Sequence, residues 1–178
     1  GDFLSSRIQH KTGGLTLGHR LTYVERDLLQ RDATVQQLDM IWQKNHQVQV
    51  RAQLLHSDIQ QQGNNYNDQQ IINSQDIAGW ASWSYAPSDN WSQRLHANYY
   101  GDQFDMNDMG YMKRNGYSEL FGRTRYDRLQ YGDDSNLLSG FTIFEYGYTE
   151  NTDGKKLALW AEWQQTWIYK STRSLYLE

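Results

Sequence analysis

Acidic and amide side chains crowd positions 102 to 108, where they could hold a metal ion. Asp102, Asp105, Asn107 and Asp108 lie there, and calcium prefers carboxylate and amide oxygens. An EF-hand loop counted from Asp105 needs a bidentate glutamate at its twelfth position, which is Gly116 in this chain. The pattern therefore favours a turn whose Asp and Asn side chains bond the local backbone. We expect no cofactor, and calcium at this loop is the less favoured alternative.

Charged residues also occupy alternating positions of several later segments. They are Arg94, Glu119, Arg123, Arg125, Glu145 and Glu162. If these segments are strands of a barrel, the side chains can form a charge ladder across its lumen. Such a ladder either binds a polar solute or neutralises buried charge. Because both signs are present, the neutralising role is favoured.

Catalytic and metal chemistry has little support in this sequence. Glu145 and Glu162 could act as the carboxylate pair of a glycosidase, but the sequence gives no distance between them. The five histidines show no recurrent zinc spacing, and cysteine is absent. We expect no metal site and assign no catalytic residue. The net charge of -4, without a basic block, argues against a nucleic-acid partner.

These side chains lie on runs in which polar and apolar residues alternate with period 2, the pattern of half-buried strands. The runs predict about ten strands at 3–10, 13–24, 34–43, 47–57, 73–86, 90–100, 117–129, 137–149, 156–170 and 174–178. Their connections alternate between tight ones at 11–12, 44–46, 87–90 and 171–173 and mostly longer ones at 25–33, 58–72, 101–116 and 150–155. Connection 130–136 is only modestly longer than the tight ones, and Gly13-Gly14 suits a hairpin turn. This alternation is typical of an up-and-down barrel with two unlike rims.

Strand length and aromatic content favour a membrane barrel over a soluble sheet. Many predicted strands reach the ~9 to 11 residues that cross a bilayer at a tilt. The chain holds 7 Trp and 13 Tyr, rings that are enriched at membrane interfaces. The mean hydropathy of -0.89 excludes membrane-spanning helices but not barrel strands, whose apolar and polar residues alternate. We therefore expect an all-β antiparallel meander in the bacterial outer membrane, with its apolar rows facing outward to lipid. The alternative is a soluble β-sandwich that binds carbohydrate on exposed Trp and Tyr platforms.

One segment carries a family resemblance. The stretch from Tyr99 to Asn115, YYGDQFDMNDMGYMKRN, matches a motif at Phe104, Asp105, Asn107, Asp108, Gly110, Tyr111, Arg114 and Asn115. It resembles the barrel-forming C-terminal domain of unknown function that follows a family-9-like carbohydrate-binding domain in bacterial surface proteins. The resemblance implies an outer-membrane location and a polysaccharide-related setting. The candidate binding residues of this loop motif are Asp105, Asn107, Asp108, Gly110, Tyr111 and Arg114.

The chain as a whole, 1–178, is interpreted as a single β-barrel domain or an internal fragment of one. Its last residues, 174–178, resemble the start of another strand, and an incomplete barrel has open edges that seek partners. The expected partners are the lipid bilayer, the remaining parts of the same barrel and an oligosaccharide. Arg114, beside the acidic loop, is expected either to pair with Asp105 or Asp108 or to stay solvated.

Overall fold

The computed structural model of the chain describes residues 1–62, 71–107, 114–171 and 173–178. In this part of the chain ten strands form one sheet: β1 (Phe3–Thr12), β2 (Leu15–Arg26), β3 (Arg31–Gln43), β4 (Val48–Gln62), β5 (Ile71–Ser88), β6 (Trp91–Tyr100), β7 (Tyr117–Arg128), β8 (Leu137–Asn151), β9 (Lys156–Tyr169) and β10 (Ser174–Leu177). Each strand pairs with its neighbours in sequence order, and the registers are antiparallel. The predicted all-β antiparallel meander of ten strands is confirmed. The sheet is open, with β1 and β10 as its edges.

The connections are less regular than predicted. The turn between β1 and β2 is at 13–14 and not at the predicted 11–12, because β1 extends to Thr12. Gly13 adopts a φ of 54° there, so the hairpin turn predicted at Gly13-Gly14 is confirmed. The connection predicted at 25–33 shortens to 27–30, because the flanking strands extend further and a one-turn 3-10 helix (Asp27–Leu29) ends at Gln30 with a φ of 46°. Connection 129–136, on the rim predicted to be tight, is longer than 27–30 and 152–155 on the other rim.

The register gives the sheet a polar face and an apolar face, because successive side chains of a strand point to opposite sides. One row of the polar face runs through Gln49, Ser84, Arg94, Arg123 and Glu145 on β4 to β8. The row immediately beside it on the apolar face contains Val50, Trp83, Leu95, Gly122 and Tyr146 on the same strands.

Burial distinguishes the two faces further. Within the described strands, the buried side chains other than glycine all lie on the polar face: Thr22, Val24, Ala33, Val35, Ser57, Ile59, Ala78, Ile143 and Thr166. Large exposed apolar side chains lie mainly on the apolar face of all ten strands: Leu4, Ile8, Leu17, Leu38, Trp42, Leu54, Ile77, Trp83, Trp91, Leu95, Tyr99, Leu120, Tyr126, Phe144, Tyr146, Leu157, Leu159, Trp163, Leu175 and Leu177. Among the described strands, the buried side chains therefore lie on the polar face, and the apolar face is the more exposed of the two.

None of the helices among the described residues has the length and apolar character needed to traverse a membrane.

Candidate functional site

Four of the six predicted ladder charges lie in one row across the polar face. Arg94 on β6 is directly opposite Arg123 on β7, which is opposite Glu145 on β8, which is opposite Glu162 on β9. The Arg123 Nε atom lies 3.3 Å from Glu145 Oε1. Glu162 accepts a hydrogen bond from Gln164 on its own strand. The row therefore combines two adjacent arginines with two adjacent glutamates.

The other two ladder residues have partners outside this row. Glu119 Oε2 accepts a hydrogen bond of 3.1 Å from Asn98 Nδ2 on β6. Arg125 forms a forked interaction with Asp127 on its own strand, with its Nη2 2.6 Å and its Nε 2.8 Å from the two carboxylate oxygens. The Arg125 guanidinium also lies 4.4 Å from the centroid of the Phe141 ring. Asp127 therefore neutralises Arg125 locally.

Two adjoining clefts open on the polar face beside the charged row. A cleft of about 340 Å³ lies across β4 to β7 and is lined by Gln49, Arg51, Trp80, Ser82, Ser84, Arg94, His96 and Phe121. Its neighbour, of about 460 Å³, is lined in part by Arg94, Arg123 and Arg125. We call the first of these the arginine groove. Gln49, Ser84 and Arg94, which are paired across β4 to β6, line both clefts and form their common border.

Aromatic side chains fix one end of the arginine groove. The Trp80 Nε1 atom donates a 2.6 Å hydrogen bond to Gln53 Oε1, and the Trp80 ring centroid lies 5.8 Å from that of His96. Phe121 packs against Trp160, with ring centroids 6.0 Å apart. Trp80 and Phe121 thus present held, partly exposed rings next to arginine, serine and glutamine side chains.

The connection after β6 folds over the polar face, near the rim that also carries connections 27–30 and 152–155. Its residues 101–107 are here called the inward loop. Phe104 at its centre is 0% exposed, and its ring centroid lies 6.2 Å from that of Tyr100. The backbone N–H of Asp105 donates a 3.3 Å hydrogen bond to Ser57 Oγ on β4. Because Ser57 and Tyr100 belong to the polar face, the loop covers that face.

An ion pair secures the same loop to β3. Arg31 Nη2 donates a 2.8 Å hydrogen bond to Asp105 Oδ2, while the backbone N–H of Asn107 donates to Asp105 Oδ1 at 2.8 Å. Partial burial of the Asp105 carboxyl raises its pKa, but the hydrogen bonds from Asn107 and Arg31 outweigh that effect and leave the pKa below its ordinary value. The folded loop therefore holds Asp105 ionised.

Further hydrogen bonds fix the beginning of the inward loop. The backbone N–H of Gln103 donates to Asp76 Oδ2 at 2.9 Å. Thr152 Oγ1 donates to Asp102 Oδ1 at 2.6 Å, and Asn115 Nδ2 donates to the Asp102 carbonyl at 2.7 Å. These contacts involve the connection after β8 as well as β5. The predicted Asp and Asn turn is therefore fixed by tertiary contacts as well as by its own backbone.

Arg114 does not form the predicted pair with Asp105. Its guanidinium lies 5.6 Å from the centroid of the Tyr117 ring, and Arg31 occupies the position beside the Asp105 carboxylate. The physical reason is the fold of the loop, which carries Asp105 across β5 and β4 toward β3.

Three residues of the predicted loop site, Asp108, Gly110 and Tyr111, lie outside the described residues. Of the others, Asp105 and Asn107 come together on the polar face. Within the described ranges, no group of three or more His, Cys, Asp or Glu side chains is arranged to hold a metal ion.

The structure adds residues that the sequence pattern did not single out. Arg31, Ser57 and Arg51 have no local motif, because their roles depend on strands far from them in sequence. Phe104 was a motif position but not a candidate binding residue, and the sequence did offer a signal for its burial. It is an apolar ring within an Asp- and Asn-rich connection, and an apolar ring is not expected in a fully solvated loop.

The family of the chain follows from comparison with family models. Residues 21–176 match the family described as "Domain of unknown function (DUF5916)". No curated protein matches the chain. The predicted likeness to a domain of unknown function is thereby confirmed, and the match extends from β2 to β10 rather than covering the loop motif alone.

Proposed function

We propose that this chain, which belongs to the DUF5916 family, forms part of an outer-membrane β-barrel that binds or passes glycans. The observation that carries the proposal is the uncovered apolar face. No catalytic role is assigned to any residue.

The apolar face extends over every strand and is too large for a monomer in water. The exposed large apolar side chains of this face range from 37% exposed at Trp83 to 74% exposed at Ile8. Soluble monomers rarely expose contiguous apolar patches beyond a few hundred Å². Transmembrane barrels turn such a face to lipid and keep a polar interior.

The height of the apolar face suits a bilayer. On β9 the outward positions from Leu157 to Trp167 cover roughly 33 Å at about 3.3 Å per residue. A strand tilt of about 40° reduces that length to roughly 25 Å along the membrane normal, the height of the apolar band of outer-membrane barrels. On β4 the residues of the apolar face become polar beyond Leu54, at His56 and Asp58. This change would mark one edge of the apolar band.

The open edges of the sheet support membership in a larger barrel. Strands β1 and β10 each pair on one side in the described part of the chain. Unpaired backbone groups in lipid cost several kcal/mol each, so a membrane sheet must close. Further strands, from the same chain or from another, would provide that closure.

The glycan part of the proposal draws on the polar face. Trp80 and Phe121 flank serine, glutamine and arginine side chains in one groove, a mixture that offers flat apolar rings and hydrogen-bonding groups together. A soluble carbohydrate-binding sandwich would need two packed sheets, whereas the described residues form one. If lipid does not cover the apolar face, the sandwich alternative requires another protein layer to pack against it.

Membrane fractionation tests this proposal. The full-length protein should sediment with the outer membrane, resist a carbonate wash and require detergent for extraction. Recovery of a soluble monomer without detergent would overturn the membrane assignment, because the apolar face would then have some other cover.

A further inference from the structure

We infer that the arginine groove binds a saccharide that carries a carboxylate group, held by Arg51 and Arg94. This inference rests on the proposed glycan function and names the class of glycan. Three features of the polar face carry it: an excess of positive charge, a floor of small hydroxyl side chains and a pair of held aromatic rings.

The charge of the groove is not balanced by its protein neighbours. Arg94 lies directly opposite Arg123, and like charges at opposed positions of a sheet are destabilising. Glu145 pairs with Arg123. In the described ranges, neither Arg94 nor Arg51 forms an ion pair with a carboxylate. A bound anion would offset this repulsion.

The strand between the two arginines leaves space for that anion. On β5, Ser82 lies opposite Arg51 and Ser84 lies opposite Arg94. Serine is short, so the longer side chains of β4 and β6 form the walls of a cleft of about 340 Å³ with the serines as its floor. A guanidinium offers paired N–H donors that match the two oxygens of a carboxylate, and the serine hydroxyls can bond further oxygens.

The aromatic rings favour a sugar ring over a bare ion. Trp80 and Phe121 line the same groove as the arginines. The hydrogen bond from Trp80 to Gln53 and the packing of Phe121 on Trp160 hold both rings in place. A held ring binds the apolar surface of a ligand at a low entropic cost, whereas an inorganic anion gains nothing from it.

Calorimetric titration of the full-length protein in detergent micelles tests the inference. The probes are tetragalacturonate, the uncharged maltotetraose and inorganic phosphate. Tetragalacturonate should bind at least about tenfold more tightly than either of the others, because hydrogen bonds to charged groups are the stronger ones. Raising the salt concentration should weaken its binding.

Substitutions locate the site. Arg51→Gln and Arg94→Gln should each weaken tetragalacturonate binding about tenfold. Arg7→Gln is the matched control, because Arg7 also lies on the polar face but pairs with Asp39 at 3.3 Å, away from the groove. Arg7→Gln should leave the affinity unchanged. Far-ultraviolet circular dichroism of each variant verifies the strand content.

The outcomes separate this inference from the proposed function. Equal binding of maltotetraose and tetragalacturonate, or unchanged affinity in Arg51→Gln and Arg94→Gln, would overturn the anionic site and leave a neutral glycan function in place. Phosphate binding as tight as that of tetragalacturonate would overturn the saccharide. Failure of the membrane assignment itself would show in fractionation and not in these titrations.

Discussion

Arg31 and Asp105 form an ion pair of 2.8 Å although 74 positions separate them in the sequence. The pair connects β3 to the inward loop across β4 and β5, so it fixes the loop over the polar face. The inward loop and the arginine groove lie on the same face of the sheet. The Arg31–Asp105 ion pair therefore helps to determine how much of that face the loop covers.

Protonation of Asp105 should release this loop. The pKa of Asp105 is lowered below its ordinary value of 3.8 in the folded loop. The stabilisation is therefore complete above the ordinary pKa and is lost as the pH falls through the lowered folded value. Protection of the backbone amides of residues 103–107 from hydrogen exchange, expressed relative to the intrinsic rate at each pH, should be high at pH 7 and should fall in this acidic range. In Asp105→Asn the protection should be lower at pH 7 and lack this pH dependence. An identical acid profile in both proteins would show that another carboxylate controls the loop.

Phe104 should be the main apolar anchor of the inward loop. Its side chain is fully buried, and removal of a buried Phe side chain commonly costs about 3 to 5 kcal/mol. Phe104→Ala should therefore expose the loop to protease while leaving the strands intact. Phe144→Ala is the matched control, since Phe144 is 45% exposed on the apolar face. Equal protease resistance of Phe104→Ala and the unsubstituted protein would contradict the anchoring role.

A charge on the apolar face should destabilise the protein in lipid. Leu95 lies centrally on that face, opposite Trp83 and Gly122. Leu95→Arg should lower the free energy of unfolding in phospholipid vesicles by about 2 to 4 kcal/mol, the cost of an arginine near the bilayer midplane. Thr149→Arg is the control, because Thr149 lies opposite Glu119 on the polar face. Urea titrations should separate the two variants, and equal losses would contradict an outward lipid face.

Because Arg94 and Arg123 are adjacent, we expect the effects of substituting Glu145 and Arg94 on the free energy of unfolding to be coupled. Glu145→Gln removes the carboxylate beside Arg123 and leaves Arg94 and Arg123 opposed, so it should lower the free energy of unfolding by about 0.5 kcal/mol. Adding Arg94→Gln should restore most of that loss. The double-mutant cycle, measured by urea denaturation, would show no coupling if the two arginines do not repel each other.

Much of the fold was predictable because strand patterns are local. Period-2 alternation, as in Val48 to Leu54, locates a strand and assigns its two faces without knowledge of its neighbours. A meander adds only the rule that successive strands pair, and the order of all ten strands agrees with it. The connections were predicted less well. The chain turns at Gln30 through a left-handed backbone conformation, and glutamine is not a residue type that indicates this conformation in a sequence.

The sequence by itself thus determined the strands, their order and the polarity of each face, since those follow from the alternation of neighbouring residues. Only the tertiary structure decided that Arg94, Arg123, Glu145 and Glu162 share one row, because the register depends on turn lengths and irregularities such as the shift between Thr149 and Glu150. It also decided that Asp105 meets Arg31 and not Arg114. The path of a long connection over a sheet is determined by distant contacts, and no local pattern records them.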